Sequence, residues 1–246
     1  MSRVVLVTGG MGGLGTSICQ AFLDIGDTVI ATFHPEFDDP NAWLEEMEKE
    51  GYGDVQVVSV DVSSYASCQV MLGEINEMAG DVDILINNAG ITRDKYFTKM
   101  STDAWTSVIE TNLNSMFNVT KNVLEGMIEK RFGRVINISS VNGVKGQAGQ
   151  TNYSAAKAGV LGFTKALAQE VANKGITVNA IAPGYVATKM VSSIREDILK
   201  SIVDSVPMKR LATPQEIASL CVYLAGDMAG YITGSTIDIN GGLHMS

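Results

Sequence analysis

Basic residues are scarce in this 246-residue chain: 18 lysines and arginines stand against 27 aspartates and glutamates, a net charge of −9. No basic block interrupts that balance, which argues against nucleic acid as a ligand. A phosphorylated small molecule is still open to it, because local lysines and backbone amides can hold one. Histidine is scarcer still, and His34 and His244 alone cannot build a histidine-based zinc site. Cys19, Cys68 and Cys221 are odd in number, widely spaced and set in helical patterns, so they read as small buried side chains. Neither a disulfide framework nor a metal is expected. No apolar run approaches the ~20 residues that a membrane-spanning helix needs. The opening Met1-Ser-Arg-Val-Val-Leu-Val-Thr-Gly-Gly10 has no small-residue cleavage site, and its apolar part is only strand-length. It reads as a first strand, and a cytoplasmic location is expected.

The composition is that of an ordinary globular protein, 46% hydrophobic and 18% charged. The length suits one well-buried domain spanning 1–246. Short apolar runs at 4–7, 28–32, 55–60, 84–86, 134–138, 177–181 and 235–239 read as strands. Helical patterns fall between them near 13–25, 41–50, 64–78, 102–130, 153–173 and 214–224. The alternation predicts an α/β fold: a doubly wound parallel sheet of about seven strands with helices on both faces.

The most informative stretch runs from Ser140 to Lys157. Tyr153 and Lys157 are four apart on an alanine-rich helical pattern, so both side chains share one helix face. A phenol is a poor proton source at neutral pH, and a nearby ammonium would lower its pKa. Ser140, at the end of the fifth strand, can offer a second hydroxyl to the same reacting oxygen. The set suits reduction of a carbonyl. A lone Tyr-x-x-x-Lys pair is more often a half-buried tyrosine beside a solvated lysine, so the rest of the chain must decide.

The first strand runs into Thr8-Gly9-Gly10-Met11-Gly12-Gly13-Leu14-Gly15 and a helix opens directly after. Such a turn lets the backbone approach a pyrophosphate that then faces the helix N-terminus. Asp61 ends the third strand, where it can accept from an adenine amino group or cap the next helix. Asn88, Ala89 and Gly90 follow the fourth strand, at the edge where parallel sheets bind ligands. Asn112 sits inside a long helical pattern where asparagine is a mediocre helix former. That misfit points to a kink or side chain serving a site, or to an asparagine bonding its own backbone.

Thr8-Gly-x-x-x-Gly13-x-Gly15, Asn87-Asn-Ala-Gly90, Asn112, Ser140, Tyr153-x-x-x-Lys157, Pro183-Gly184 and Thr188 together resemble the short-chain dehydrogenase/reductase family over essentially the whole chain. The resemblance implies a Rossmann-like fold and hydride transfer with a nicotinamide cofactor. It assigns Tyr153 as proton donor, Lys157 as its tuner and a ribose ligand, Ser140 as carbonyl binder and Asn112 as a proton-relay residue. The cofactor would be held by Gly9, Gly12, Gly13, Leu14 and Gly15 of the first turn. Asp61 and Val62, then Asn88, Ala89 and Gly90, would add to it. Pro183, Gly184, Val186 and Thr188 would close over the nicotinamide, followed by a lid-like segment over 189–210. In that segment Met190, Val191, Ile194, Ile198, Leu199 and Ile202 form an apolar stripe whose first explanation is core packing.

Within the family the chain most resembles the acetoacetyl-CoA reductases of polyhydroxyalkanoate synthesis, through Asn88 to Asp94, Ser140 to Ser154 and the ending Asn240 to Met245. This implies reduction of the 3-keto group of acetoacetyl-CoA to (R)-3-hydroxybutyryl-CoA, in a homotetramer. Gln147, Gln150 and Tyr185 would border the acyl group, although both glutamines also suit a solvated loop. Arg93, Lys95, Lys99 and Lys145 are candidate cations for the coenzyme A phosphates, Lys99 first among them. The alternative is 3-oxoacyl-[acyl-carrier-protein] reduction, with Lys130, Arg131 and Lys174 as a basic patch for an acidic carrier protein. A remoter alternative, a non-catalytic dinucleotide-binding regulator, would predict damage to Ser140, Tyr153 or Lys157.

The choice between NADH and NADPH leans to NADH. A 2′-phosphate calls for arginine or lysine. The glycine turn has Gly12 where related reductases often carry a basic residue, and Thr32-Phe33-His34-Pro35-Glu36-Phe37-Asp38-Asp39 carries none. Glu36 would repel the phosphate and could accept from a free ribose hydroxyl.

Overall fold

The computed structural model describes residues 2–188 and 195–245. Seven strands form one sheet: β1 (Val4–Val7), β2 (Thr28–Phe33), β3 (Gln56–Ser59), β4 (Ile84–Asn87), β5 (Gly133–Ile138), β6 (Ile176–Pro183) and β7 (Thr236–Ile239). Their order is β3-β2-β1-β4-β5-β6-β7, and every pairing is parallel. The order reverses between β1 and β4, which opens a crevice at the carboxyl ends of those two strands.

Successive strand residues point to opposite faces, and the burial follows that period. Val5 and Val7 join Ile18 and Phe22 of α1 (Gly13–Leu23) and Ile217 and Leu224 of α9 (Pro214–Ala225). Trp43 and Met47 of α2 (Pro40–Lys49) extend the same layer. Val4 and Leu6 face the other way, against Met71 and Ile75 of α3 (Tyr65–Ala79) and Val123 and Met127 of α5 (Ser115–Lys130). Ala168 and Val171 of α7 (Thr151–Val171) complete that second layer. Each large apolar side chain fully buried here contributes roughly 1.5–3 kcal/mol.

Strand and helix positions match the sequence reading to within a few residues, with three differences. The pattern over 102–130 is not one helix: α4 (Thr102–Ile109) passes into a π-helical turn (Glu110–Asn114) before α5. A further short helix, α6 (Val141–Lys145), follows β5 and is capped by the Ser140 hydroxyl, which accepts from Asn142 N at 3.1 Å. In the lid-like segment, Met190, Val191 and Ile194 lie outside the described residues. The remainder of that apolar stripe rides on α8 (Glu196–Ser205), none of whose residues is buried, so there it does not enter the core. Cys19, Cys68 and Cys221 are buried thiols on α1, α3 and α9.

Candidate active site

The first turn fits a pyrophosphate for reasons visible in its backbone. Gly12 is the N-cap of α1 and brings no side chain to the free amides of the first turn. Gly9 has φ +61°, and a Cβ on Gly15 would lie 2.3 Å from the Gly9 carbonyl oxygen. Only glycine allows the helix to start so close beneath the loop. Thr8, buried, fastens the loop to β4: its Oγ1 accepts from Asn88 N at 2.9 Å and Ala89 N at 3.1 Å. The Asn88 carboxamide returns two bonds, to the carbonyls of Thr8 (2.9 Å) and Gly9 (3.1 Å). A cleft of about 290 Å³ runs from Met11, Gly13 and Thr16 across to Ala187 and Thr188. The glycine turn and the segment after β6 therefore border one space.

Around it, Asp61 turns its Oδ1 to Ser63, accepting from the backbone N (2.9 Å) and hydroxyl (2.6 Å). The helix-capping alternative for Asp61 does not hold, because Ser64 caps α3. Val62 is buried at the end of the third strand's run, its carbonyl accepting from Asn118. Gly184 packs so closely on Asn240 that a Cβ would meet its Cα at 2.9 Å. Glu36 is exposed in a tight turn after β2, where its backbone N donates to His34 Nδ1 and the His34 ring stacks on Phe37 at 4.4 Å.

At the carboxyl edge of β4 and β5 the four expected catalytic side chains converge. Ser140 ends β5's run, and Tyr153 and Lys157 lie one turn apart on α7. Lys157 Nζ sits 5.7 Å from the Tyr153 ring centroid and donates to the Ile138 carbonyl at 2.7 Å. Asn112 is fully buried in the π-turn, its Oδ1 accepting from Ile91 N (2.8 Å) and its Nδ2 donating to Ile91 O (2.9 Å). The kink that its helix misfit suggested is thus present, and it presents the carboxamide to the chain leaving β4. A Cβ on Gly90 would fall 3.4 Å from Asn112 Oδ1 and 3.5 Å from Lys157 Nζ, so both groups line the same small gap.

Burial sets the electrostatics. Lys157 is brought down to about 8 because its ammonium is shut off from water. The Tyr153 phenol is raised: burial pushes it up, the Ser140 hydroxyl pulls it down, and the Asp94 carboxylate pushes it up again. Burial, and not the lowering expected from Lys157, dominates the phenol. The ammonium is directed at the Ile138 carbonyl, and desolvation of the phenolate outweighs it.

Several supporting residues were not singled out from the sequence, Asn87 apart, which was read only as part of the motif ending β4. Ser139 Oγ donates to the Lys157 carbonyl at 2.8 Å, and Asn87, Asn137 and Thr164 form a buried hydrogen-bonded row beneath the site. Asparagines inside otherwise apolar strands were the available signal. Asn152, buried, donates to the carbonyls of Arg93 (3.2 Å) and Ala104 (2.9 Å) and fixes the start of α7. Among the expected substrate contacts, Gln147 and Lys99 are exposed, and Lys145 Nζ donates to Gln147 Oε1 at 3.0 Å. Gln150 already has both ends of its amide engaged, by Asp94 and Asn142. Tyr185 is half-buried, its carbonyl accepting from Ala212 N.

Lys130, Arg131 and Lys174 stand just before β5 and β6, at the amino edge of the sheet and opposite these groups. Lys130 is paired with Asp83 at 2.8 Å. Among the described residues no helix is long and apolar enough to cross a membrane.

Comparison with known proteins adds an independent view. The model of the short chain dehydrogenase family matches residues 3–199. "Nodulation protein G" of Azospirillum brasilense is 60% identical over 242 residues, covering 98% of each chain. An acetoacetyl-CoA reductase of Allochromatium vinosum is 54% identical over 246 residues, covering 100% of each. Another, from Cupriavidus necator, is 51% identical over 243 residues, covering 99% of this chain and 98% of its own.

Proposed function

The chain belongs to the short-chain dehydrogenase family, and from that premise we propose that it is an NAD(P)H-dependent acetoacetyl-CoA reductase. The observation that carries the reading is the convergence of Ser140, Tyr153, Lys157 and Asn112 beside a glycine turn built for a dinucleotide. The bound nicotinamide supplies the hydride for the keto carbon. This chain's own residues manage the oxygen. Ser140 donates a hydrogen bond to the carbonyl, stabilising the charge that develops there. Tyr153 delivers the proton to the resulting alkoxide. Lys157 holds a cation beside the phenol and stabilises the phenolate that is left. Asn112 pins the Ile91 backbone at the rim of the same gap, where a water can pass a proton to Lys157.

The remaining assignments belong to the same proposal. Gly9, Gly12, Gly13, Leu14 and Gly15 receive the pyrophosphate, and Asp61 and Val62 flank the adenine. Asn88, Ala89 and Gly90, with Pro183, Gly184, Val186 and Thr188, enclose the nicotinamide end. Gln147 and Tyr185 border the acyl group, and Lys99 meets the coenzyme A phosphates. Gln150 joins them only by giving up Asp94 or Asn142.

We assign NADH as the preferred cofactor. Between Arg3 and Lys49 the chain has no lysine or arginine, and it carries Asp24, Asp27, Glu36, Asp38, Asp39, Glu45, Glu46 and Glu48. Just after β2, a 2′-phosphate would meet Glu36, Asp38 and Asp39 and no lysine or arginine. The protein acts in the cytoplasm as a homotetramer. Phe117 (56% exposed) stacks on Tyr65, and Val70 is 63% exposed, an apolar face on α3 and α5 suited to a neighbour.

The test is an initial-rate assay with acetoacetyl-CoA and each nicotinamide in turn. Turnover with a higher kcat/KM for NADH is the expected result. Absence of turnover with both, from folded protein, rejects the coenzyme A reading and moves the assay to carrier-protein-bound 3-oxoacyl substrates. Light scattering at assay concentrations tests the tetramer.

A further inference from the structure

Three carboxyl and carboxamide side chains form a hydrogen-bonded row that ends at the catalytic serine. Asp94 Oδ2 accepts from Gln150 Nε2 at 2.7 Å, and Gln150 Oε1 accepts from Asn142 Nδ2 at 2.9 Å. Asn142 N in turn donates to Ser140 Oγ at 3.1 Å. The row crosses three segments far apart in sequence: the loop after β4, the start of α7, and α6.

We propose that Asp94 is a positioning residue for the proton-donating site: its carboxylate orients the Gln150 carboxamide, Gln150 holds Asn142 and with it α6, and the backbone N of Asn142 on that helix holds the Ser140 hydroxyl. A carboxylate can only accept, so it forces Gln150 to present Nε2 to it and Oε1 to Asn142. Asn142 must then present Nδ2 to Gln150, which leaves its own buried Oδ1 without a protein partner. An amide free to flip would choose the orientation that satisfies that oxygen. The unpaired Oδ1 is the cost of an order imposed from Asp94, and the row keeps α6 in the attitude in which Ser140 faces Tyr153.

The loop is held for this purpose from both sides. Lys95 N donates to the Gly149 carbonyl at 2.9 Å, and Asn152 Nδ2 to that of Arg93 at 3.2 Å. The backbone on either side of Asp94 is thus tied to the start of α7, which keeps its side chain within reach of Gln150. The groups that face the phenol are Ser140 from α6, Lys157 from α7 and Asp94 from the loop. Neighbouring charges are otherwise engaged: Arg93 with the Thr92 carbonyl, Lys145 with Gln147, and Glu110 with Asn114. Asp94 also raises the proton affinity of Tyr153, so removing its charge moves the phenol toward lower pH.

The inference rests on the reductase reading, and the wild-type rate separates the two: without wild-type turnover the reading fails, whereas the variants test only the row. D94A, Q150A and the double variant are compared with wild type for kcat, KM and the pH profile of acetoacetyl-CoA reduction. Thermal melts verify that each is folded. D94A is expected to lose about tenfold in kcat with KM within about twofold. Its alkaline limb shifts to lower pH, because reduction needs the protonated phenol. Q150A loses a similar factor in kcat with the limb nearly in place, since the carboxylate is still there. The double variant is no worse than D94A, as expected of residues that act as one unit. D94N, which removes the charge and can donate as well as accept, does not force the Gln150 amide, so it falls between wild type and D94A in kcat while its limb stays shifted. Losses that multiply to about a hundredfold in the double variant overturn the proposal. So does a defect confined to KM with the wild-type pH profile, the mark of a direct substrate contact.

Discussion

Lys157→Met should make the ligand-free protein more stable at neutral pH while destroying its activity. Lys157 is 3% exposed and its ammonium has one hydrogen-bond partner, the Ile138 carbonyl. Burial brings it from 10.5 to about 8. The unfolded chain therefore binds more protons than the folded one between those values, and stability contributed by this group rises with pH across that window. The charge costs about 3 kcal/mol at pH 7, about 2 at pH 9 and about 1 at pH 10, taking 1.36 kcal/mol per pKa unit. Methionine has similar length and no charge, so the stability gap between variant and wild type should narrow by about 2 kcal/mol from pH 7 to pH 10. In thermal melts that is a change of roughly 4 °C in the difference of midpoints for a chain of this length. The comparison is made without cofactor and at equal protein concentration, because binding and assembly shift apparent stability. The narrowing is the decisive quantity, since the lost bond to Ile138 offsets both ends equally. A gap that stays constant or widens with pH would refute the account of Lys157 as a desolvated cation.

The other predictions concern the proton donor, the packing beneath it and the cofactor. Tyr153→Phe should lower kcat by at least a hundredfold, with nicotinamide binding by fluorescence titration unchanged; substantial residual turnover would remove Tyr153 as the acid. Gly143→Ala should cost about 1–3 kcal/mol in denaturant melts. Its new Cβ would stand 2.7 Å from the carbonyl carbon of Lys157, a backbone atom that cannot step aside. Gly12→Arg should raise kcat/KM for NADPH relative to NADH by about tenfold, as expected of an arginine placed near a phosphate. The position has ordinary φ, and a Cβ there would come no closer than 3.4 Å to the Gly9 oxygen, so a side chain can leave the loop. An unchanged cofactor ratio would mean that the 2′-phosphate does not approach Gly12.

Local spacing made the fold readable. Each strand holds a short apolar run with β-branched residues, and alternation with helical patterns left a parallel sheet as the arrangement that buries both strand faces. The π-turn within 102–130 has a tertiary cause. Nothing within Glu110 to Asn114 requires a π-turn; the requirement comes from the Ile91 backbone, which takes both polar atoms of Asn112. The asparagine registered as a misfit, but its partner was invisible. Helix α6 escaped for a related reason. Val141-Asn-Gly-Val-Lys145 has poor intrinsic propensity, and its place depends on the Ser140 cap and on Gly143 lying against the backbone of α7.

The same distinction divides the site. Tyr153 and Lys157 are related by one helical turn, so their shared face follows from spacing alone. The value of Lys157 does not, because desolvation comes from everything packed around it. Sequence reasoning therefore expected the ammonium to govern the phenol, whereas burial governs both and drives them in opposite directions: the phenol up, the ammonium down. Each shift favours the neutral form, which is what a site with few compensating charges must do. Under the proposed mechanism, two groups that each resist ionisation would hold the proton on Tyr153 until an oxygen that accepts it arrives. An alkoxide generated beside the Ser140 hydroxyl would be such an acceptor, and the phenolate formed would give Lys157 a counter-charge. The cost of the buried cation would fall at that step, so the group that destabilises the folded protein would favour the proton transfer proposed for it.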